Sequence, residues 1–97
     1  MNRRKQDNTI TAKQANAIFI QPYVTEKTFN MIEKENKLTF IVFEKATKKE
    51  IMNALISIYE SEAIEVNTAK TIQGKKAIIK FKSRGGARDL ATRLGLV

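Results

Sequence analysis

The sequence predicts an α+β domain: a mainly antiparallel four-stranded sheet with helices packed on it, a short C-terminal helix and a basic N-terminal arm. Three observations predict it. Apolar runs of strand and helix type follow the order strand, helix, strand, helix, strand, strand, helix. A T-x-x-E capping box opens the longest helical run, and the last two strand runs meet at Gln73-Gly74, a tight hairpin signal. With 97 residues, 42% of them hydrophobic, and one Pro and four Gly, the chain has the makings of one modest core, unlike disordered or collagenous sequences.

Residues 1–17 carry Arg3, Arg4, Lys5 and Lys13 against Asp7, with Ile10 isolated, and are expected to form a flexible basic arm able to order on a partner. An ordinary frayed terminus is the plainer alternative. Residues 18–97 are expected to form the single folded domain. "AIFIQPYV" suits a strand halted at Pro22. "TEKTFNMIEKEN" reads as a helix with Thr25 as N-cap, Glu26 at the positive helix end, Val24 able to staple onto Phe29, and Asn36 as its end.

"LTFIVF" is apolar on both alternating faces and so predicts an inner strand. In "ATKKEIMNALISIYE", Thr47 and Glu50 form the capping box, and Ile51, Ala54, Leu55, Ile58 and Tyr59 follow at helical spacing. "IEVNTAKTIQ" and "KKAIIKFK" make the hairpin. In its second strand Ala77, Ile79 and Phe81 point one way, while Lys76, Ile78, Lys80 and Lys82 point the other, with Lys75 before the row and Arg84 after it. Lys80 and Lys82, two residues apart, thus lie about 7 Å from one another, on the scale of successive phosphates, with Lys76 about twice that distance from Lys80. A solvated face that uses lysine against edge pairing is the competing explanation. Finally "SRGGARDLATRLGLV" begins with a hinge and places Ala87, Leu90, Ala91 and Leu94 on one helical face, with Gly95 as C-cap. Arg88 and Arg93 lie off that face, open either to phosphate or simply to solvent.

The chain has no Cys and no His, which excludes disulfides, thiolate metal sites and imidazole chemistry; no Gly-rich phosphate loop or paired-carboxylate motif is evident. An enzyme, a metal or another cofactor is therefore not expected. No apolar run approaches the roughly 18 residues of a membrane span, and the N-terminus lacks a signal-peptide core, so a cytoplasmic protein is expected. The net charge of +8 is uneven: residues 64–97 hold eight Lys/Arg against two acids, whereas residues 37–63 hold four of each. A polyanion is the natural partner of such an arrangement, through release of condensed counterions.

The string "PYVTEKTFNMIEKENKLTFIVFEKATKKEIMNALISIYE", the "EVNT" of residues 65–68, and "GKKAIIKFK" followed by Leu90 resemble the universal ribosomal protein of the large subunit numbered twenty-three. The likeness runs from about residue 18 to the end, and its motifs occur in the family's order. Phe81 stands where Leu is usual. The resemblance implies a protein bound to large-subunit rRNA in its third domain, beside ribosomal protein number twenty-nine, at the rim of the polypeptide exit tunnel. It also implies a docking site for the signal recognition particle and the protein-conducting channel.

Carried onto this chain, the T-E-K motif falls on Thr25, Glu26 and Lys27, with Tyr23 and Glu26 as docking residues and Lys27 toward RNA. Asn67 and Thr68 of the V-N-T motif, with Lys70, Lys75, Lys76, Lys80, Lys82 and Arg84, would face rRNA, together with the arm residues named above. Members from bacteria insert a long basic loop between the last two strands; here only Gln-Gly-Lys-Lys joins Ile72 to Ala77, which resembles the archaeal type and implies no reach into the tunnel. The arm is longer than that group implies. For Glu26, an ordinary helix-end acid is the alternative to docking. Two other classes compete: a small basic chromatin protein coating duplex DNA without sequence preference, and an acylphosphatase-type enzyme, whose phosphate loop with an essential Arg is not seen.

Overall fold

The computed structural model describes residues 17–96; the expected arm, including Arg3, Arg4, Lys5 and Lys13, lies outside the described residues. Among the described residues the order is β1 (Phe19–Pro22), α1 (Glu26–Lys34), β2 (Lys37–Val42), α2 (Lys48–Tyr59), β3 (Ala63–Thr71), β4 (Gly74–Phe81) and α3 (Gly86–Arg93). The four strands form one antiparallel sheet in the order β1-β2-β4-β3. The α+β class and the element order expected from the sequence are both present.

Alternation sorts the sheet into two faces. Leu38, Phe40 and Val42 of β2 join Ala77, Ile79 and Phe81 of β4 on the inner face, in one core with Ile32 of α1, Ile51, Ala54 and Leu55 of α2, and Ala87, Leu90 and Ala91 of α3. All three helices therefore cover the same side. Phe19 and Tyr59 pack against Phe40, with ring centroids 4.9 and 6.3 Å away. Burial raises the Tyr59 phenol above its usual range, and the nearby Arg93 guanidinium partly offsets the rise.

The helix starts follow their caps. Thr25 Oγ1 accepts from the Thr28 amide at 3.2 Å, and Thr28 Oγ1 returns the bond to the Thr25 amide at 2.8 Å; the expected box at Thr47 and Glu50 forms in the same way. Val24 and Phe29, read as a staple, keep 48% and 41% of their surface exposed and so leave an apolar patch beside Glu26. The hairpin turn lies one residue earlier than its sequence signal placed it: Thr71 pairs with Gly74, so the turn residues are Ile72 and Gln73, and Gly74 opens β4 with φ +125°. Thr71 Oγ1 donates to the Gly74 carbonyl across the turn at 2.7 Å. At the far end, a Cβ on Gly86 would lie 3.0 Å from Phe81 Cβ, so glycine lets α3 close onto β4.

Asn36 is the junction of four elements, α1, β2, β4 and α3. It follows the C-cap Glu35 with φ +56°, a left-handed conformation that Asn adopts at less cost than most residues. Its Nδ2 donates to the carbonyls of Phe81 at 3.1 Å and Ser83 at 2.8 Å, and its Oδ1 accepts from the Ala87 amide at 2.9 Å. The last bond caps α3, whose N-cap Gly85 has no side chain to do so. Replacing Asn36 by Ala removes three hydrogen bonds and adds left-handed strain, an expected loss of about 2–4 kcal/mol in urea unfolding. Asn36→Gly, which relieves the strain but not the lost bonds, is expected to cost less.

Candidate nucleic-acid interface

The outer face of the sheet has no helix on it among the described residues. Its centre is Lys76, Ile78 and Lys80 of β4, flanked in register by Ile41, Thr39 and Lys37 of β2 and by Ala69, Asn67 and Glu65 of β3. This confirms the alternation inferred for β4 and adds Lys37, directly opposite Lys80, which no local pattern identifies. Lys82 continues the row past the strand end, exposed and 3.6 Å from Glu62, a surface pair worth little in water.

The sheet does not bring all the expected residues together. Asn67 lies on the outer face, where its Nδ2 donates to Glu65 Oε2 at 2.7 Å. Thr68, Lys70 and Lys75 pair across the β3–β4 ladder on the opposite side, with Thr68 level with Ala77 and Lys70 level with Lys75. There the Lys75 ammonium donates to the Ala46 carbonyl at 2.6 Å, tying the hairpin to the segment before α2. Lys27 and Glu26 are exposed in the first turn of α1, and Arg84 is exposed in the loop before α3. Glu26 has no ion pair among the described residues.

Tyr23 joins the outer face at its β1 edge. Its amide donates to the Thr39 carbonyl at 3.0 Å, and the Lys76 ammonium sits 4.9 Å from its ring centroid, a cation–π contact. Two apolar or weakly polar side chains are buried here with no helix above them, Ile41 at 3% exposure and Thr39 at 1%. Aliphatic stems of the lysines and the Tyr23 ring are the neighbours that the register provides. The face is thus basic at its tips and apolar at its base, with Glu65 as its internal counter-charge.

Thr39 Oγ1 is buried without a hydrogen-bond partner among the described residues. An unmade bond of this kind carries the full desolvation cost of the hydroxyl, so Thr39→Val, similar in shape, is expected to stabilise the protein by about 1 kcal/mol. Thermal unfolding of the two proteins side by side measures it; a destabilised valine variant would mean that the hydroxyl is satisfied.

Comparison with known proteins supplies a family for this geometry. The family model for ribosomal protein L23 matches residues 17–91, which span the whole sheet and most of α3. A protein named large ribosomal subunit protein uL23 from Methanothermobacter thermautotrophicus is 38% identical over 81 residues, covering 82% of this chain and 94% of its own. Proteins of the same name from Methanococcus vannielii and Methanococcus aeolicus are 46% and 42% identical over 76 residues, each alignment covering 77% of this chain and 88% of theirs.

Proposed function

Since this chain belongs to the ribosomal protein L23 family, and to its archaeal type, we propose that it binds large-subunit rRNA through the outer face of its sheet, at the rim of the polypeptide exit tunnel. It is a structural, non-enzymatic protein of the large ribosomal subunit. One observation carries the RNA reading: Lys76 and Lys80 stand on either side of Ile78 along a central strand, on the side with no helix among the described residues, with Lys37 beside Lys80. Ammonium groups about 13 Å apart along a strand match phosphates about two steps apart on a nucleic-acid chain. Contacts of this kind suit RNA duplexes, which are recognised largely by shape and backbone because the A-form major groove is too narrow for side chains. Asn67 and Lys82 lie on the same surface, and Arg84 on the loop that follows it.

Thr68, Lys70 and Lys75, on the other side at the hairpin end, and Lys27 on α1 would meet RNA only if it wraps the sheet edge. The arm, with Arg3, Arg4, Lys5 and Lys13, is proposed as an accessory RNA contact outside the folded domain of residues 18–97. The third domain of the rRNA and ribosomal protein number twenty-nine are the proposed neighbours. The two-residue turn between β3 and β4 supports a hairpin that stays out of the tunnel.

Docking of the signal recognition particle and the protein-conducting channel is proposed at Glu26 and Tyr23. The exposed Glu26 carboxylate sits beside the half-exposed Val24 and Phe29, an acid with an apolar border. Such a patch can bind a basic, amphipathic partner.

Sedimentation of an extract in high salt tests the ribosomal assignment: the protein is expected with the large subunit after the wash, whereas release to the top of the gradient or migration with chromosomal DNA would favour a chromatin role. Within the RNA reading, Lys76→Ala with Lys80→Ala is expected to weaken rRNA binding and to lower the slope of log K against log salt by about 1 to 2. An unchanged slope would remove the outer face from the interface. For docking, Glu26→Lys is expected to leave incorporation into the subunit intact while weakening factor recruitment to purified ribosomes. Loss of folding instead would assign Glu26 to the helix end alone.

A further inference from the structure

The basic row does not stop where the sheet stops. Beyond Lys80 the surface opens into a cleft of about 490 Å³ between the end of α1, the start of β2 and the loop entering α3. Five cations line it, Lys34, Lys37, Lys80, Arg84 and Arg88, against two acids, Glu33 and Glu35. Both acids are already engaged inside the cleft: Glu35 with Lys37 at 3.2 Å and Glu33 with Arg88. Among the described residues Lys34, Lys80 and Arg84 have no ion pair, which leaves the cleft lining with a surplus of positive charge.

The backbone contributes the same sign on one side. Arg84 and Arg88 flank the first turn of α3, whose end carries partial positive charge, while Lys34 offsets the partial negative charge at the end of α1. The volume is that of a site for one small ligand, within the range of about 300–1,000 Å³. Arg84 offers a planar fork suited to two phosphate oxygens, and Lys34 and Lys80 offer point charges. Asn36, the neutral polar side chain of the wall, has both its amide nitrogen and its oxygen bonded within the protein. With the acids paired as well, the wall is equipped for phosphate and sugar rather than for reading base edges.

We infer that this cleft seats one nucleotide of the bound RNA, held by its phosphate, where the chain leaves the sheet face at Lys80 and bends around the end of the sheet toward α3. The inference rests on the reading of the outer face as an RNA surface. Lys80 belongs to both surfaces and makes them continuous; Lys34 and Lys37 join the interface as residues that no sequence motif marks, and Arg88 as one that the sequence left open between phosphate and solvent.

The test uses the full chain with a transcript of its large-subunit rRNA and two sets of variants. Lys34→Ala with Arg84→Ala alters only the cleft, and Lys76→Ala only the face. The cleft pair is expected to lower the salt slope by about 2, and Lys76→Ala by about 1. Arg84→Lys, which keeps the charge but not the fork, is expected to keep the slope and lose affinity. Because the chain has no Cys, single cysteines at Ser83 and Ala69 can carry an iron chelate that cleaves nearby RNA. Cuts from position 83 are expected adjacent in the RNA to those from position 69.

An unchanged slope for the cleft pair, with a lowered slope for Lys76→Ala, would overturn the cleft and leave the face standing. Unchanged slopes for both would overturn the RNA face and the cleft with it. If adenosine monophosphate or inorganic phosphate binds the wild-type chain but not the cleft pair, while the RNA slope is unaffected, the cleft is a small-anion site and the inference fails. Circular dichroism of each variant separates these outcomes from unfolding; both cleft side chains altered in the pair are exposed.

Discussion

One left-handed residue holds this fold in register. At Asn36 the end of α1, the start of β2, the end of β4 and the start of α3 come together, and a single amide supplies three of the bonds between them. Its backbone carbonyl accepts a fourth from the Phe81 amide at 3.1 Å. The side chain has to be short, to reach main-chain groups next to it, and has to offer donors and an acceptor at once; Asn does both and tolerates the positive φ. Because α3 is fixed through its first turn, Ala87, Leu90 and Ala91 enter the core while Arg84 and Arg88 remain outside it. The same constraint that closes the core therefore arranges the charges at the end of the sheet.

The two faces of the sheet solve the burial problem differently. The inner face is covered by helices and carries the core. The outer face buries Thr39 and Ile41 with no helix above them among the described residues, beside neighbouring strand side chains. Lysine suits such a surface because its aliphatic stem can lie on apolar neighbours while the ammonium stays in water. Lys76 then serves twice, as cover beside Ile41 and as a charge held near the Tyr23 ring. A surface built in this way keeps its charges in water and needs little rearrangement to accept phosphates. Glu65, opposite Lys80 and bonded to Asn67, moderates the repulsion within the row.

Most of the fold was legible in the sequence because its signals are local. Both Thr N-caps, the helical spacing from Ile51 to Tyr59, the helix end at Asn36 and the alternation along β4 each depend on residues a few positions apart. The hairpin position shifted by one residue because Gly74 supplies its positive φ as the first residue of β4 rather than within the turn. What could not be read depends on long-range register. Lys37 meets Lys80 across 43 positions of sequence only because β4 inserts beside β2. The bond from Lys75 to Ala46 is equally remote, and it puts to structural use a lysine that the double-lysine motif assigns to RNA. Charge counting found the basic C-terminal third, yet it could not show that Arg84 and Lys34, from opposite ends of the domain, share one cleft.

Tyr23 gives the proposed RNA surface and the proposed docking surface a common mechanical part. Its ring lies beneath Lys76 on the outer face, its amide is bonded to β2, and its carbonyl accepts from the Thr28 hydroxyl at 3.1 Å inside the first turn of α1. That turn also carries Glu26, with Val24 and Phe29 beside it. Phosphates drawn to Lys76 would bear on the segment that fixes the helix start, and a partner at Glu26 would meet a helix end anchored from the RNA side. Rigid seating of this kind matters for a docking surface, because a carboxylate held in place loses less freedom on binding than one on a loose end. The coupling needs no conformational switch: it follows from one tyrosine being bonded to the sheet through its amide and to the helix through its carbonyl.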